Sequence, residues 1–131
     1  MIGLDTNVLV RYIAQDDRRQ AAKATHVIEE ECSETDPGFI ATITMAELVW
    51  VLESCYASSK SEVVAVLQRI LRTKQLLVEN AETIWKAVRL FEACKADFAD
   101  CLIERVGAAH QCEYTSTFDK NAASAGMRLI D

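Results

Sequence analysis

The sequence predicts an α/β fold, in which a short and mostly parallel central sheet is covered by helices on both faces. Short apolar segments alternate along the chain with longer segments whose apolar residues follow a helical repeat. Strands that alternate with helices are joined by crossovers, which favour a parallel sheet. The chain has 131 residues, the length of one typical domain. We therefore expect a single domain over residues 1–131.

The individual elements follow from local signals. The polar triplet Asp5-Thr6-Asn7 separates the first strand from the first helix, and Asp36-Pro37-Gly38 ends the second helix. Thr42 or Thr44 is expected to cap the third helix, and Ser61 opens the fourth. The predicted strands lie at 2–4, 39–41, 76–78, near 113–115 and at 127–130, and the predicted helices at 8–13, 16–32, 45–56, 61–71, 81–95, 98–109 and 121–125.

Composition and charge exclude several classes of protein. Half of the residues are hydrophobic and the formal net charge is −6, which is unlike a disordered chain. No apolar run approaches the length of a membrane span, and Asp5 interrupts the apolar start, where a secretion signal would continue. The five cysteines are odd in number and contain no C-x-x-C pair, so we expect reduced thiols and a cytoplasmic protein.

Five acidic residues stand out because each follows a predicted strand or interrupts an apolar segment: Asp5, Glu47, Asp97, Asp100 and Asp119. Asp5 and Asp119 follow predicted strands, and the carboxyl ends of parallel strands form the edge of a sheet where ligands bind. We therefore expect them to lie in one cleft. The alternative for Asp5 is a purely structural role, because aspartate is a good N-cap of a helix.

The other three acids lie in or at the start of predicted helices. The neighbours of Glu47 are almost all apolar, and a carboxylate in apolar surroundings has to pair, bind a cation or take up a proton. We expect a ligand or polar partner for Glu47 rather than a simple exposed position. Asp97 and Asp100 share one face of their helix. Either both cap this helix, or Asp100 is a ligand while Asp97 caps or assists.

Carboxylates that converge on one point need protons or cations. Two carboxylates about 4 Å apart repel each other by about 4 kcal/mol at an effective dielectric constant of about 20. A cluster of them therefore shows raised pKa values or binds divalent ions, and oxygen ligands favour Mg²⁺ or Mn²⁺. Such ions lower the pKa of bound water and stabilise charge on a phosphate. If the acids converge, the chemistry indicated is phosphodiester hydrolysis.

Four motifs occur in order along the chain: Ile2-Gly3-Leu4-Asp5-Thr6-Asn7-Val8-Leu9, Met45-Ala46-Glu47-Leu48, Ala96-Asp97-Phe98-Ala99-Asp100-Cys101-Leu102-Ile103 and Thr117-Phe118-Asp119-Lys120. With these motifs the chain resembles the PIN-domain nucleases, and among them the VapC toxins of toxin-antitoxin pairs, over essentially its whole length. The resemblance implies a three-layer PIN-like fold and a metal-dependent endoribonuclease that hydrolyses RNA by metal-activated water. It further implies Mg²⁺ or Mn²⁺ as cofactor, transfer or ribosomal RNA as substrate, a homodimer, and inhibition by a VapB-like antitoxin.

The resemblance also implies roles for individual residues. The four acids that bind the metal and carry out catalysis would be, in chain order, Asp5, Glu47, Asp100 and Asp119. The accessory residues would be Thr6 and Asn7, which organise the first acid, Thr117 near the fourth acid, and Asp97 as a further acid. Asp119 occupies the most variable of the four positions.

Two other hypotheses remain. A non-catalytic PIN-like module for protein binding or dimerisation would use the same acids as helix caps and as counter-charges for a basic segment. A phosphatase or phosphate-transfer domain with Asp5 as nucleophile is disfavoured, because Asn7 stands where such sites have a second acid. Arg11 is among the basic residues that can approach a phosphate. For Trp50 and Tyr56, helical periodicity favours packing in the core or in a dimer interface over base stacking.

Overall fold

A computed structural model describes residues 1–131 of the protein, and strands alternate with helices along it. The elements in chain order are β1 (Ile2–Gly3), α1 (Thr6–Ala14), α2 (Arg18–His26), a π-helical turn (Val27–Glu31), β2 (Gly38–Ile40), α3 (Thr42–Tyr56), α4 (Lys60–Arg72), β3 (Leu76–Val78), α5 (Ala81–Ala93), α6 (Phe98–Ala109), β4 (Ser116–Thr117), α7 (Lys120–Ala123) and β5 (Arg128–Leu129). The chain divides into two compact units, Met1–Glu79 and Asn80–Asp131. The expectation of a single domain stays a prediction.

The first unit contains a three-stranded parallel sheet in the order β1-β2-β3. In this sheet Gly38 pairs with Ile2 on one side and with Leu76 on the other. A side chain at Gly38 would force Leu4 to move, because a Cβ atom there would lie 2.7 Å from Leu4 Cδ1 and 3.0 Å from Cys32 Sγ. Helix α1 packs against α2 and α3. The largest fully buried side chains of this unit are apolar residues of these elements and of α4, among them Leu9, Ile40, Met45, Leu48 and Leu67.

The second unit contains a two-stranded parallel sheet of β4 and β5, in which Ser116 pairs with Arg128 and Thr117 with Leu129. Helices α5 and α6 pack along each other. At their contact the rings of Phe91 and Phe98 lie 5.8 Å apart in an edge-to-face arrangement, which suits the charge distribution of aromatic rings. Phe98 is completely buried at the first residue of α6, and this fixes the start of the helix that carries Asp97 and Asp100.

The α/β class and the parallel pairing of the strands are confirmed. The strands form two sheets, and the fourth strand begins at Ser116, after the predicted segment 113–115. The predicted cap of the third helix is wrong. The N-cap residue of α3 makes no capping hydrogen bond with its side chain. Instead, the carboxylate of Glu79 accepts the backbone N–H of Thr42 at 2.9 Å. A partner so distant in sequence leaves no local signal.

Helix α4 begins at Lys60, one residue before the predicted opening at Ser61, and Ser59 is its cap. The Ser59 hydroxyl accepts the backbone N–H of Glu62 at 3.2 Å, and Glu62 Oε1 accepts the backbone N–H of Ser59 at 2.8 Å. This reciprocal pair is a capping box, which needs Glu three residues after the cap. The same bond from the Ser59 backbone holds the pKa of Glu62 below its usual value. Only the serine with a glutamate at the right spacing can therefore take this position.

Two features bear on the class of protein. None of the helices combines the length and the apolar character that crossing a membrane requires. None of the five cysteines forms a disulfide bond.

The capping box of α4 predicts a loss of stability on mutation. Ser59→Ala removes the hydroxyl that accepts from the Glu62 amide, and we expect the free energy of unfolding to fall by about 1 kcal/mol. Urea denaturation followed by circular dichroism measures the loss. Ser54→Ala, at an exposed position inside α3, is the control and should stay within about 0.5 kcal/mol of the wild type. Equal effects of the two substitutions would rule out the capping role.

Candidate active site

Asp5 lies directly after the first strand and begins α1. The chain remains extended there, because the Leu4 N–H donates to the carbonyl of Phe39 at 2.8 Å. Asp5 is the N-cap of α1, and its Oδ1 accepts the backbone N–H of Thr6 at 2.8 Å. The cap considered for Asp5 is thus confirmed, and its ligand role stays a prediction. The cap engages Oδ1 and leaves Oδ2 compatible with a ligand role.

Thr6 connects Asp5 to Glu47. The Thr6 side chain is buried, and its hydroxyl donates to Glu47 Oε1 at 2.9 Å. This bond joins the first turn of α1 to the middle of α3 and fixes the direction of the Glu47 carboxylate. The expectation of a polar partner for Glu47 is confirmed, and the partner is Thr6.

The expectation that Glu47 lies in apolar surroundings is wrong, because the residue is exposed. Helix α3 buries Met45, Leu48 and Leu52, whereas Glu47 lies on a different face. The sequence is misleading here because the neighbours of Glu47 on its own face, Ile43 and Trp50, are also apolar and yet 68% and 65% exposed. An apolar neighbourhood along the sequence is therefore not an apolar environment in space.

Asp5, Thr6, Asn7 and Glu47 line one cavity of about 860 Å³ in the first unit. Four of the eight residues for which the sequence predicts a functional role therefore share one surface. The same cavity is lined by polar and aromatic side chains to which the sequence assigned no definite role at this site: Arg11, Asp16, Trp50 and Tyr56. The cavity combines carboxylates, a cation and two aromatic rings.

Three of these additional residues form a small network. The Tyr56 hydroxyl donates to Asp16 Oδ2 at 2.8 Å, and Arg11 Nη1 lies 3.4 Å from Asp16 Oδ1. The hydrogen bond from Tyr56 is the main reason that the pKa of Asp16 is held below its usual value, and the same bond raises the pKa of Tyr56. Asp16 thus stays ionised and holds the Arg11 guanidinium at the cavity. Asp16 and Tyr56 are 40 residues apart, so no local pattern connects them.

The second unit carries the other proposed acids. Asp97 is the N-cap of α6, and its Oδ1 accepts the backbone N–H of Asp100 at 2.8 Å, as expected if Asp97 caps the helix. Asp119 is the N-cap of α7, and its Oδ1 accepts the backbone N–H of Asn121 at 2.8 Å. Thr117 Oγ1 accepts the backbone N–H of Asp119 at 3.0 Å. Asp100 lies in the first turn of α6.

The pKa of Asp100 is raised above its usual value. Burial of the carboxyl group is the largest cause that raises its pKa, and the charge of Asp97, a hydrogen bond with Asp97 and the charge of Asp119 raise the pKa further. A raised pKa is what a cluster of carboxylates shows when no cation neutralises it. The structure therefore brings Asp97, Asp100 and Asp119 within electrostatic reach of each other.

The proposed acids thus occur in two groups, one in each unit. The first group contains Asp5 and Glu47, bridged by Thr6, and the second contains Asp97, Asp100 and Asp119. No set of three or more His, Cys, Asp or Glu side chains is arranged to hold a metal ion.

The comparisons with known proteins agree with the motifs. A family model described as the PIN domain matches residues 2–126. A VapC ribonuclease of Aquifex aeolicus is 26% identical to the chain over 99 residues, which cover 76% of this chain and 73% of the relative. The range matched by the family model includes all eight proposed site residues, which extend from Asp5 to Asp119.

The raised pKa of Asp100 predicts a stability that depends on pH. The unfolded carboxyl group titrates near 3.8. Above that pH the folded state has to ionise a group that it prefers to keep protonated, so the wild type loses stability as the pH rises through the raised pKa. Without divalent cations at pH 7, Asp100→Asn should raise the melting temperature by about 2 °C, the size expected for relief of like-charge repulsion.

The gain should disappear when the melting temperature is measured below the pKa of the unfolded carboxyl group. Asp97→Ala is the matched comparison, because it removes the cap of the same helix. It should lower stability by about 1 kcal/mol at pH 7. A gain for Asp100→Asn that is independent of pH would show that charge is not its cause.

Proposed function

Because the chain belongs to the PIN-domain family, we propose that it is a VapC-like toxin: an endoribonuclease that hydrolyses RNA phosphodiester bonds with the help of Mg²⁺ or Mn²⁺. The observation that carries the proposal is the position of the acids. Each of the four motifs places a carboxylate at an ordered position of the fold, and Asp100 has a raised pKa among other acids. The relative with a ribonuclease name supports RNA as the substrate.

The residues fit a hard divalent cation. The proposed ligands are all carboxylates, the donors that Mg²⁺ and Mn²⁺ prefer: Asp5, Glu47, Asp100 and Asp119. Asp5, Glu47 and Asp119 each use one oxygen to accept a hydrogen bond, so the second oxygen is left for a ligand. At Asp100 a cation would offset the cost of ionisation in a partly buried position next to other acids. That the two groups of acids bind a shared metal centre is part of the proposal.

The chain's own residues orient the ligands. When bound, a divalent cation lowers the pKa of water and stabilises the charge that develops on the phosphate. Thr6 directs the Glu47 carboxylate, and the first-turn amides of α1 and α7 direct Asp5 and Asp119. Asp97 fixes the backbone of Asp100, and Thr117 does the same for Asp119. Such supporting contacts hold metal ligands in one orientation. Asn7 lines the cavity beside them.

The proposal extends to partners. A VapB-like antitoxin would inhibit the enzyme, the chain would act in the cytoplasm as a homodimer, and the substrate would be a structured RNA such as transfer or ribosomal RNA. Cleavage would leave a 5′-phosphate and a 3′-hydroxyl. Light scattering of the purified chain tests the homodimer, and end mapping of the RNA fragments tests the chemistry of the cleaved ends.

Substitution of the proposed ligands should abolish cleavage. We expect Asp5→Asn and Asp100→Asn, one from each group, to lower the rate of RNA hydrolysis with Mg²⁺ or Mn²⁺ by about 100-fold or more, since even contacts behind the ligands are worth 10- to 100-fold. A chelator should stop the wild type. Glu92→Gln, at an exposed position of α5, is the control and should keep full activity. Full activity of either aspartate variant would contradict the proposed metal-dependent mechanism.

The wild type and the same variants also test the alternative function, a non-catalytic binding module. Calorimetry of the wild type with millimolar Mn²⁺ separates the two functions. Binding that is lost in Asp5→Asn supports the nuclease, whereas absence of binding together with absence of cleavage assigns the chain to the module.

Thr6 should act as a positioning residue for Glu47. Thr6→Val keeps the shape of this buried side chain and removes the donor to Glu47 Oε1, so the Mn²⁺ affinity should fall by about 10- to 100-fold. Thr6→Ser retains the hydroxyl and should restore most of the affinity. The measurement is the Mn²⁺ concentration that gives half-maximal cleavage. If Thr6→Ser fails as badly as Thr6→Val, the hydroxyl is not what matters.

A further inference from the structure

We propose that Trp50 and Arg11 form a subsite for single-stranded RNA in the cavity of the first unit, where the indole stacks on a base and the guanidinium donates to a phosphate. This inference rests on the proposed function, because it takes RNA as the substrate. It adds two residues that are not among the acids and that would decide how the strand is held next to Asp5 and Glu47.

Trp50 lies on the surface of the first unit. Its side chain is 65% exposed on α3, one turn after Glu47 and on the same face of the helix. Of the two expected environments, packing in the core is therefore wrong, and packing in a dimer interface stays a prediction. The indole lines the cavity that also contains Asp5 and Glu47. Stacking of a base on an aromatic ring favours binding and tolerates any base, because every base has a π face.

Arg11 is held ready to bind an anion. Its Nε donates to Gln20 Oε1 at 2.6 Å, and its Nη1 lies 3.4 Å from Asp16 Oδ1 and 3.5 Å from the Tyr56 hydroxyl. These contacts engage Nε and Nη1, so Nη2 is the guanidinium nitrogen left to donate to a ligand. A planar guanidinium that is fixed in this way loses little conformational entropy when it binds a phosphate oxygen.

The charge of the cavity sets a condition for binding. Its lining includes three carboxylates, Asp5, Asp16 and Glu47, and one guanidinium, Arg11, which gives a net charge of −2 at neutral pH. A phosphate is therefore repelled until a divalent cation neutralises the acids. RNA and the cation should bind cooperatively in this cavity. A basic protein segment should show the opposite dependence, since it competes with the cation for the same carboxylates.

The first test is a kinetic comparison on an oligoribonucleotide that the wild type cleaves. Trp50→Ala should raise KM about tenfold and leave kcat unchanged, because a stacking contact worth about 1.4 kcal/mol is lost both in the bound substrate and in the transition state. Trp50→Phe keeps an aromatic ring and should recover most of the affinity. Ile43→Ala is the matched control: Ile43 is equally exposed on the same face, and it is not part of the cavity lining. Its KM should equal that of the wild type.

The second test observes the contact directly. In a Trp85→Phe background Trp50 is the only indole, and a single-stranded oligoribonucleotide should quench its fluorescence when Ca²⁺ supplies the divalent charge. The quenching should be lost in EDTA. Arg11→Gln should weaken binding and reduce the slope of log K against log salt by about 0.7, the value for one phosphate contact on a single strand.

The outcomes separate the inference from the function on which it rests. If the wild type cleaves no RNA, the proposed function fails and the subsite with it. If the wild type cleaves RNA and Trp50→Ala leaves KM unchanged, the subsite alone is overturned. Quenching of Trp50 by a lysine-rich peptide that is strongest in EDTA, without a change in KM, would assign this surface to a protein partner and also overturn it.

Discussion

Hydrogen bonds from backbone amides in the first turns of helices to carboxylates are the interactions on which the proposed site depends. Asp5, Asp97 and Asp119 are N-caps of α1, α6 and α7, and Asp100 lies in the first turn of α6. The amide groups and the dipole at the start of a helix favour negative charge. The bonds that begin the helices therefore also orient the carboxylates. Within the second unit they act against the repulsion among Asp97, Asp100 and Asp119.

These bonds offset the repulsion only in part. The pKa of Asp100 remains raised, first by burial and then by Asp97 and Asp119, so ionisation of this carboxyl group opposes folding. Residues kept at such a cost are typical of functional sites. Glu47 is stabilised differently. It lies in the middle of α3, beyond the reach of helix-start amides, and takes the hydroxyl of Thr6 instead.

The sequence predicts features that depend on neighbouring residues, such as helix caps. It does not predict contacts between residues that are far apart along the chain. Asp5 and Asp97 could be identified as caps because each precedes a helical repeat. The cap that Glu79 provides for Thr42 and the bond between Tyr56 and Asp16 join residues 37 and 40 positions apart, and no periodicity reports them. The sequence does not reveal the exposure of Glu47, because α3 carries apolar residues on its open face as well as on its packed face. An apolar residue is then no evidence of burial.

Diffraction from crystals grown with Mn²⁺ tests the central claim most directly, because the anomalous signal locates the ion independently of any activity. The account predicts a peak at which carboxylate oxygens of both Asp5 and Asp100 lie about 2.2 Å from the metal, a distance between those typical of Mg²⁺ and Ca²⁺. A peak that contacts the acids of only one group, or no peak at Mn²⁺ concentrations that saturate cleavage, would contradict it.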